Sequence, residues 1–293
     1  MNIVLIIIII IIICVVFFTQ NIKNKKKPLK ELQLSPYHSY ADLFNVSCHK
    51  YGDETALVDT NGRKISYNEY YSNAVRFAEL LQDIQKIDKM DKLIVNIIGF
   101  NCPEWLIAHM GTLLTGGISV GVYSTNSREG CKYVANHSEA EVLVVGEVDQ
   151  LKKYVGMESK LKWVIWYGAE ELIKDFDNSD YPPIVPFKII TNGKHFPLFT
   201  PVITEPDDIV TIIYTSGTTG NPKGVPITNK MLLSNLSCLL KTVSRSDANL
   251  KLSGERIVSY LPLNHIAAQM IDIYLSTSIG ATVNFADKKA LKG

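Results

Sequence analysis

The residues best suited to chemistry are concentrated in one stretch, Thr215-Ser216-Gly217-Thr218-Thr219-Gly220-Asn221-Pro222-Lys223. Four hydroxyl side chains, two glycines and a lysine follow directly on the apolar run Ile209–Tyr214. Glycine lets backbone N–H groups approach an anion closely, hydroxyls add donors, and an ammonium adds charge. Such a set suits a polyphosphate. It is not a Walker loop, because Lys223 sits between Pro222 and Gly224 rather than between a glycine and a Ser or Thr. Nor does it have the G-x-G-x-x-G spacing of dinucleotide folds. A second candidate is His265 in "LPLNHIAAQ". Taken by itself, that histidine is better explained as a satisfied structural residue. Tyr260 and Gln269 beside it read as core-packing residues, as do Trp105, Trp163 and Trp166 in their apolar runs.

These residues need a scaffold, and the pattern around them alternates strand and helix. A helix with Leu43, Phe44, Val46 and Cys48 on it stops at Gly52, and a short strand follows at Ala56–Val58. Ser66 with Glu69 forms a capping-box pattern for the next helix. Buried strands are expected at Leu93–Ile98, Ile118–Tyr123, Glu141–Val145 and Trp163–Trp166. A turn at Asn101–Pro103 opens a helix that ends at Gly116-Gly117, and Ser127 caps another. Continuous apolar strands separated by helices indicate a parallel sheet covered on both faces. The proline-rich segment 175–205 reads as a break. After it come the strand Ile209–Tyr214, a helix Asn229–Thr242, strands Arg256–Tyr260 and Ala281–Phe285, and a helix around Ile266–Ser276. No internal repeat is present.

The composition bounds the rest. Lys+Arg of 30 against Asp+Glu of 29 is near balance, which argues against a nucleic-acid surface. The five cysteines, Cys14, Cys48, Cys102, Cys131 and Cys238, lack metal-site or disulfide spacing and read as reduced, small buried hydrophobes. Ile3–Phe18 is an uninterrupted apolar run followed by Lys23, Lys25, Lys26, Lys27 and Lys30. As a helix it would reach roughly 24 Å, slightly short of a ~30 Å hydrocarbon core. The lysines keep their side of a membrane cytoplasmic. The expectation is an uncleaved membrane anchor (residues 1–22) and a basic linker (23–39) ahead of a cytoplasmic body, with monotopic insertion as the alternative. The endoplasmic reticulum or another endomembrane is the expected location. The body divides, on this reading, into a first α/β subdomain at 40–205 and the start of a second at 206–293.

"YTSGTTGNPKGV" resembles the AMP-binding signature of adenylate-forming enzymes. "NCPEWLIAHMGTLLTGGISVGVYSTNS", "YVANHSEAEVLVV", "IVSYLPLNHIAAQMIDIY" and "FADKKALKG" are similar to the bubblegum-type long-chain acyl-CoA synthetases, over about Tyr40 to Gly293. The resemblance implies layered parallel-sheet α/β subdomains of a large N-terminal domain. It implies a long-chain fatty acid–CoA ligase using ATP, Mg2+ and coenzyme A by way of an acyl-adenylate, with a long-chain fatty acid and the membrane as partners. It places Thr215, Ser216, Gly217, Thr218, Thr219, Gly220, Asn221, Pro222 and Lys223 at the ATP phosphates, Lys223 stabilising their charge. His265 then lies beside the acyl and phosphate groups as a donor or gate. The family usually has Ser where Asn264 stands. The resemblance implies that the adenine, ribose and magnesium residues and the adenylation lysine lie beyond Gly293; Lys288, Lys289 and Lys292 match an earlier stretch. A chain of this length is therefore expected to form no acyl-CoA alone. The other readings are a catalytically dead membrane-anchored binding fragment, or a different adenylate-forming ligase.

Overall fold

The computed structural model describes residues 37–90, 92–174, 181–187, 199–215, 221–246 and 254–288, with only the backbone of 243–246. The expected anchor at Ile3–Phe18 and most of the linker lie outside the described residues. Among the described residues no helix is long and apolar enough to cross a membrane.

The chain opens with α1 (Tyr40–Tyr51), β1 (Thr55–Val58), β2 (Lys64–Ser66) and α2 (Tyr67–Asp88). Both helices start at reciprocal capping boxes, Ser39 with Asp42 and Ser66 with Glu69, which satisfy backbone donors the first turn leaves orphaned. Next come β3 (Ile94–Ile98), α3 (Pro103–Leu114), β4 (Ile118–Val122), α4 (Arg128–His137), β5 (Val142–Val145), α5 (Val148–Leu151) and β6 (Trp163–Trp166). Pro103 sits at the first turn of α3, where its missing N–H costs nothing, and Ser127 caps α4 as expected. Then follow β7 (Ile184–Pro186), β8 (Ile209–Thr215), β9 (Lys223–Thr228), α6 (Asn229–Ser246) and β10 (Arg256–Ser259). The chain closes with α7 (Ile266–Ala268), a π-helical stretch Gln269–Leu275, α8 (Ser276–Ile279) and β11 (Thr282–Phe285).

The strands form a seven-stranded sheet, ordered β7-β6-β5-β3-β4-β8-β9, and a four-stranded sheet, ordered β10-β11-β1-β2. All neighbours pair in parallel except β9 with β8 and β2 with β1, so each sheet has one antiparallel edge strand. The middle of the large sheet, β3, β4 and β5, is buried on both faces. Val142 and Val144 join one apolar cluster, while their alternates Leu143 and Val145 join the other. The first cluster also takes in Ala56, Leu57, Val283 and Phe285 of the small sheet and the apolar faces of α1, α2 and α3. One core thus joins the two sheets.

The expected division between residues 205 and 206 does not follow the sheets. β8 and β9, placed in the second part, complete the sheet begun by β3 to β7. β1 and β2, placed in the first part, pair with β11. A parallel partner can come from anywhere in the chain, and nothing in the local pattern of β1 says which. The proline-rich break also holds a strand. β7 carries Pro186 at the edge of the large sheet, where a missing donor is tolerated.

The cysteine and tryptophan expectations hold in part. Cys48 and Cys131 are buried free thiols, Cys102 is half-buried, and Cys238 on α6 is exposed and so is no core residue. Trp105 and Trp166 are buried; Trp163 is half-buried and donates its indole N–H to Asp88.

Candidate functional site

Parallel β3, β4 and β8 end on the same side of the large sheet. Ligands of open α/β sheets bind beyond such carboxyl ends. Thr215 is the last residue of β8 and faces Lys223, the first of β9, across the antiparallel ladder. Both are exposed, as is Asn221, with Pro222 half-buried. A hydroxyl and an ammonium therefore flank the mouth of one hairpin. Ser216, Gly217, Thr218, Thr219 and Gly220 lie outside the described residues.

Two contacts seat the hairpin. The Tyr214 hydroxyl meets His137 Nδ1 at 2.8 Å, anchoring the end of β8 to α4. Opposite Tyr214 stands Gly224, where a Cβ would lie 3.2 Å from the Tyr214 ring and 3.0 Å from Ile212. Gly224 is a strand residue lying against an aromatic ring. The absence of a side chain lets that ring lie flat across the ladder.

β4 pairs in parallel with β8 through Ser119↔Thr211 and Val120↔Ile212, and Tyr123 follows directly on its last residue, Val122. The Tyr123 hydroxyl lies 3.1 and 3.2 Å from the two ring nitrogens of His265. The rings meet edge to face with centroids 5.0 Å apart. Burial lowers the His265 pKa and raises that of Tyr123, so both are neutral near pH 7. His265 can therefore serve as a hydrogen-bond donor or acceptor beside the hairpin mouth.

The turn that presents His265 is held from two directions. Asn101, just past β3, donates Nδ2 to Ser259 Oγ at 2.9 Å and to the Leu261 carbonyl at 2.7 Å. Its Oδ1 accepts the Leu263 N–H at 3.1 Å. Gln269 Nε2 donates to the Leu263 carbonyl at 2.9 Å. The Leu263 peptide groups are thus fixed on both sides, and His265 begins the helix by accepting the Gln269 N–H at 3.1 Å. Gly121 on β4 lets Asn264 approach, since a Cβ there would sit 2.8 Å from Asn264 Cα. Asn264 is buried, and its Nδ2 has no partner among the described residues.

Two expectations change. Gln269 is fully buried but polar in function, a bridge rather than packing. Tyr260 is 43% exposed and is not a core residue. Asn101, Gly121 and Tyr123 were not singled out by the sequence. Their signal, a polar or small residue at or just after an apolar strand, is shared by ordinary turns. Among the described residues no group of three or more His, Cys, Asp or Glu could hold a metal ion.

A family model described as AMP-binding enzyme matches residues 44–292. The long-chain-fatty-acid–CoA ligase ACSBG2 of Xenopus laevis is 39% identical over 263 residues, covering 86% of this chain and 34% of that protein. The human protein of the same name is 35% identical over 267 residues, covering 86% and 37%. The chain therefore spans about a third of the length of the curated relatives it matches. Among solved structures, the luciferase-like enzyme of the nonluminescent mealworm Zophobas morio superposes with a TM-score of 0.68 at 17% identity, covering 91% of this chain and 57% of that one. A fatty acyl CoA synthetase of Mycobacterium tuberculosis gives 0.66 at 18% identity, covering 87% and 46%. These two establish the shared fold. By the match over residues 44–292, this chain belongs to the AMP-binding enzyme family.

Proposed function

We propose that a polypeptide carrying this chain joins a long-chain fatty acid to coenzyme A through an acyl-adenylate. One carboxylate oxygen bonds to the α-phosphorus of ATP as the bond to the β-phosphate breaks and pyrophosphate leaves. The coenzyme A thiolate then bonds to the acyl carbon and AMP departs. The observation that carries this reading is the convergence at one end of the large sheet. Thr215 and Lys223 flank the hairpin mouth at the end of β8, and Tyr123, directly after the end of the neighbouring parallel strand β4, holds His265. The names of the relatives support the acyl substrate and the thiol acceptor.

The first step brings an anion to a polyanion, so donors and cations must offset the repulsion. Lys223 and the hydroxyls and backbone of Thr215 to Gly220 would hold the β- and γ-phosphates and take up charge as pyrophosphate leaves. His265, neutral and backed by Tyr123, would donate to an oxygen of the carboxylate or α-phosphate. Mg2+, when bound, neutralises phosphate oxygens. The described residues offer it no carboxylate cluster, so no step is assigned to it. The reading also includes a cytoplasmic body tethered to an endomembrane, supported by Ile3–Phe18 and the lysines after it.

Fatty-acid-dependent exchange of labelled pyrophosphate into ATP tests the first step, and acyl-CoA formation the second. We expect palmitate to drive exchange and benzoate or free amino acids not to. Exchange driven by an aryl or amino acid and not by a long-chain acid would sink this substrate class.

A further inference from the structure

Behind the His265 turn lies a buried polar chain, of which the Gln269–Leu263 bond is the last link. Thr211 on β8 donates Oγ1 to the Ser119 carbonyl at 2.8 Å. Ser119 Oγ meets His109 Nδ1 at 2.8 Å, and His109 Nε2 meets the Tyr274 hydroxyl at 2.9 Å. Tyr274 donates to Gln269 Oε1 at 3.3 Å, and Gln269 Nε2 donates to the Leu263 carbonyl at 2.9 Å. The side chains of Ser119, His109, Tyr274, Gln269 and Thr211 are all buried.

The protons in this chain have one consistent arrangement. The Leu263 carbonyl can only accept, so Gln269 must offer Nε2 there and Oε1 to Tyr274. Tyr274 therefore spends its single proton on Gln269 and accepts from His109. His109 must carry its proton on Nε2, and its bare Nδ1 accepts from Ser119. Nothing charged is needed, and full burial of His109 holds the ring neutral, its pKa lowered to about 3.

The π-helical stretch makes the middle link. In an α-helix residues five apart point about 140° away from each other, at roughly 100° per residue. The wider π-helix, with i→i+5 backbone bonds, brings positions five apart closer to one face, and five is the Gln269–Tyr274 spacing. The carbonyls disturbed by this change of ladder are taken up by hydroxyls. Ser276 donates to Asp272 O at 2.7 Å, Ser278 to Tyr274 O at 2.6 Å, and Tyr40 lies 3.2 Å from Ile273 O and Tyr274 O. The π-helical ladder is thus supported by several separate donors.

We propose that His109 is a positioning residue for the His265 turn. As its Nε2–H tautomer it links β8, the strand that ends at the phosphate hairpin, to the Leu263 carbonyl two residues before His265. Its catalytic consequence rests on the role proposed above for His265; its structural content does not. The chain fixes the turn relative to the hairpin, so cutting it displaces His265 while leaving the ATP-binding residues untouched.

The test uses the full-length polypeptide carrying this chain. Imidazole nitrogen shifts should show His109 as the uncharged Nε2–H tautomer across about pH 5 to 8. An Nδ1–H form, or a ring that titrates in that range, would overturn the proposal without any variant. Tyr274→Phe keeps the ring packing and removes the hydroxyl that joins both halves. It should speed hydrogen exchange at the Leu263 and His265 amides about tenfold and lower kcat for pyrophosphate exchange about tenfold, with KM for ATP unchanged. His109→Leu should do the same. His109→Gln retains a donor and an acceptor and should stay within about twofold of the parent. Equal losses in the Gln and Leu variants, or unchanged amide exchange in Tyr274→Phe, would refute the positioning role. If the parent shows no fatty-acid-dependent exchange, the functional reading fails, while the tautomer and amide measurements still decide this inference.

Discussion

The two walls of the candidate site are built in opposite ways. The hairpin wall presents exposed side chains, Thr215, Asn221 and Lys223, on a two-strand ladder seated by Tyr214, His137 and Gly224. The His265 wall presents one half-buried ring on a turn whose backbone is bound by Asn101 and Gln269 from separate elements. Groups meant to wrap a highly charged, hydrated ligand gain from freedom and access. A single neutral donor beside a reacting carboxyl gains from being fixed, since an ångström of misplacement weakens a directional contact steeply. The difference teaches that chemistry on the first wall should be separable from stability, and on the second should not.

Lys223→Ala tests that separation most strongly. It should slow fatty-acid-dependent pyrophosphate exchange about a hundredfold, by analogy with losing a preorganised donor to developing charge. Its melting temperature should match the parent. A variant with unaltered exchange would remove Lys223 from the site, and a lower melting temperature would erase the contrast between the walls.

Asn101→Ala should act on stability first. It leaves Ser259 Oγ, Leu261 O and Leu263 N–H without their partner. The expected cost is about 2 kcal/mol in chemical denaturation, because buried polar groups left unpaired cost more than a hydrogen bond gains. A change below about 0.5 kcal/mol would mean that the turn is held by packing alone.

Asp272 extends the same wall. Its carboxyl is 5% exposed, Oδ2 has no partner among the described residues, and burial raises its pKa to about 7 despite the Ser259 hydroxyl pulling it down. A carboxyl with a raised folded pKa binds its proton more tightly when folded. Its contribution is therefore fully present below about pH 4 and is lost as pH rises towards about 7. Asp272→Asn should remove that loss, gaining on the order of 4 kcal/mol more at pH 8 than at pH 4. Equal effects at both pH values would show a carboxyl that ionises freely.

Tyr123→Phe should give the smallest effect. It removes one hydroxyl from His265 and keeps the edge-to-face rings. About 1 kcal/mol, read as a several-fold fall in exchange with the ATP KM unchanged, is expected for one partly exposed neutral hydrogen bond. A larger loss of stability than of rate would make Tyr123 a brace rather than a partner of the reaction.

These contrasts follow how the molecule is encoded. Local signals, read over a few residues, placed the elements well. Trp163–Trp166 is the strand expected from its apolar run, and Ser66 with Glu69 caps α2 because those side chains reach only adjacent backbone. Thr215 and Lys223, singled out together in one short stretch, do face each other at one hairpin mouth, because a two-strand turn is itself a local object. The pairing of strands was not legible. β1 pairs with β11, more than two hundred residues away, and β8 completes the sheet of β3 and β4. Apolar strands of similar length are interchangeable until helices and chain connectivity choose their neighbours.

The kinds of element and the helix starts were therefore written in the sequence alone. Tertiary structure alone decided that Asn101 would reach Leu263, that Tyr123 would meet His265, and that His109 would join Ser119 to Tyr274. Each of the three is a directional bond between residues at least ten apart in sequence that no periodicity encodes, so it exists only once the core has fixed both partners.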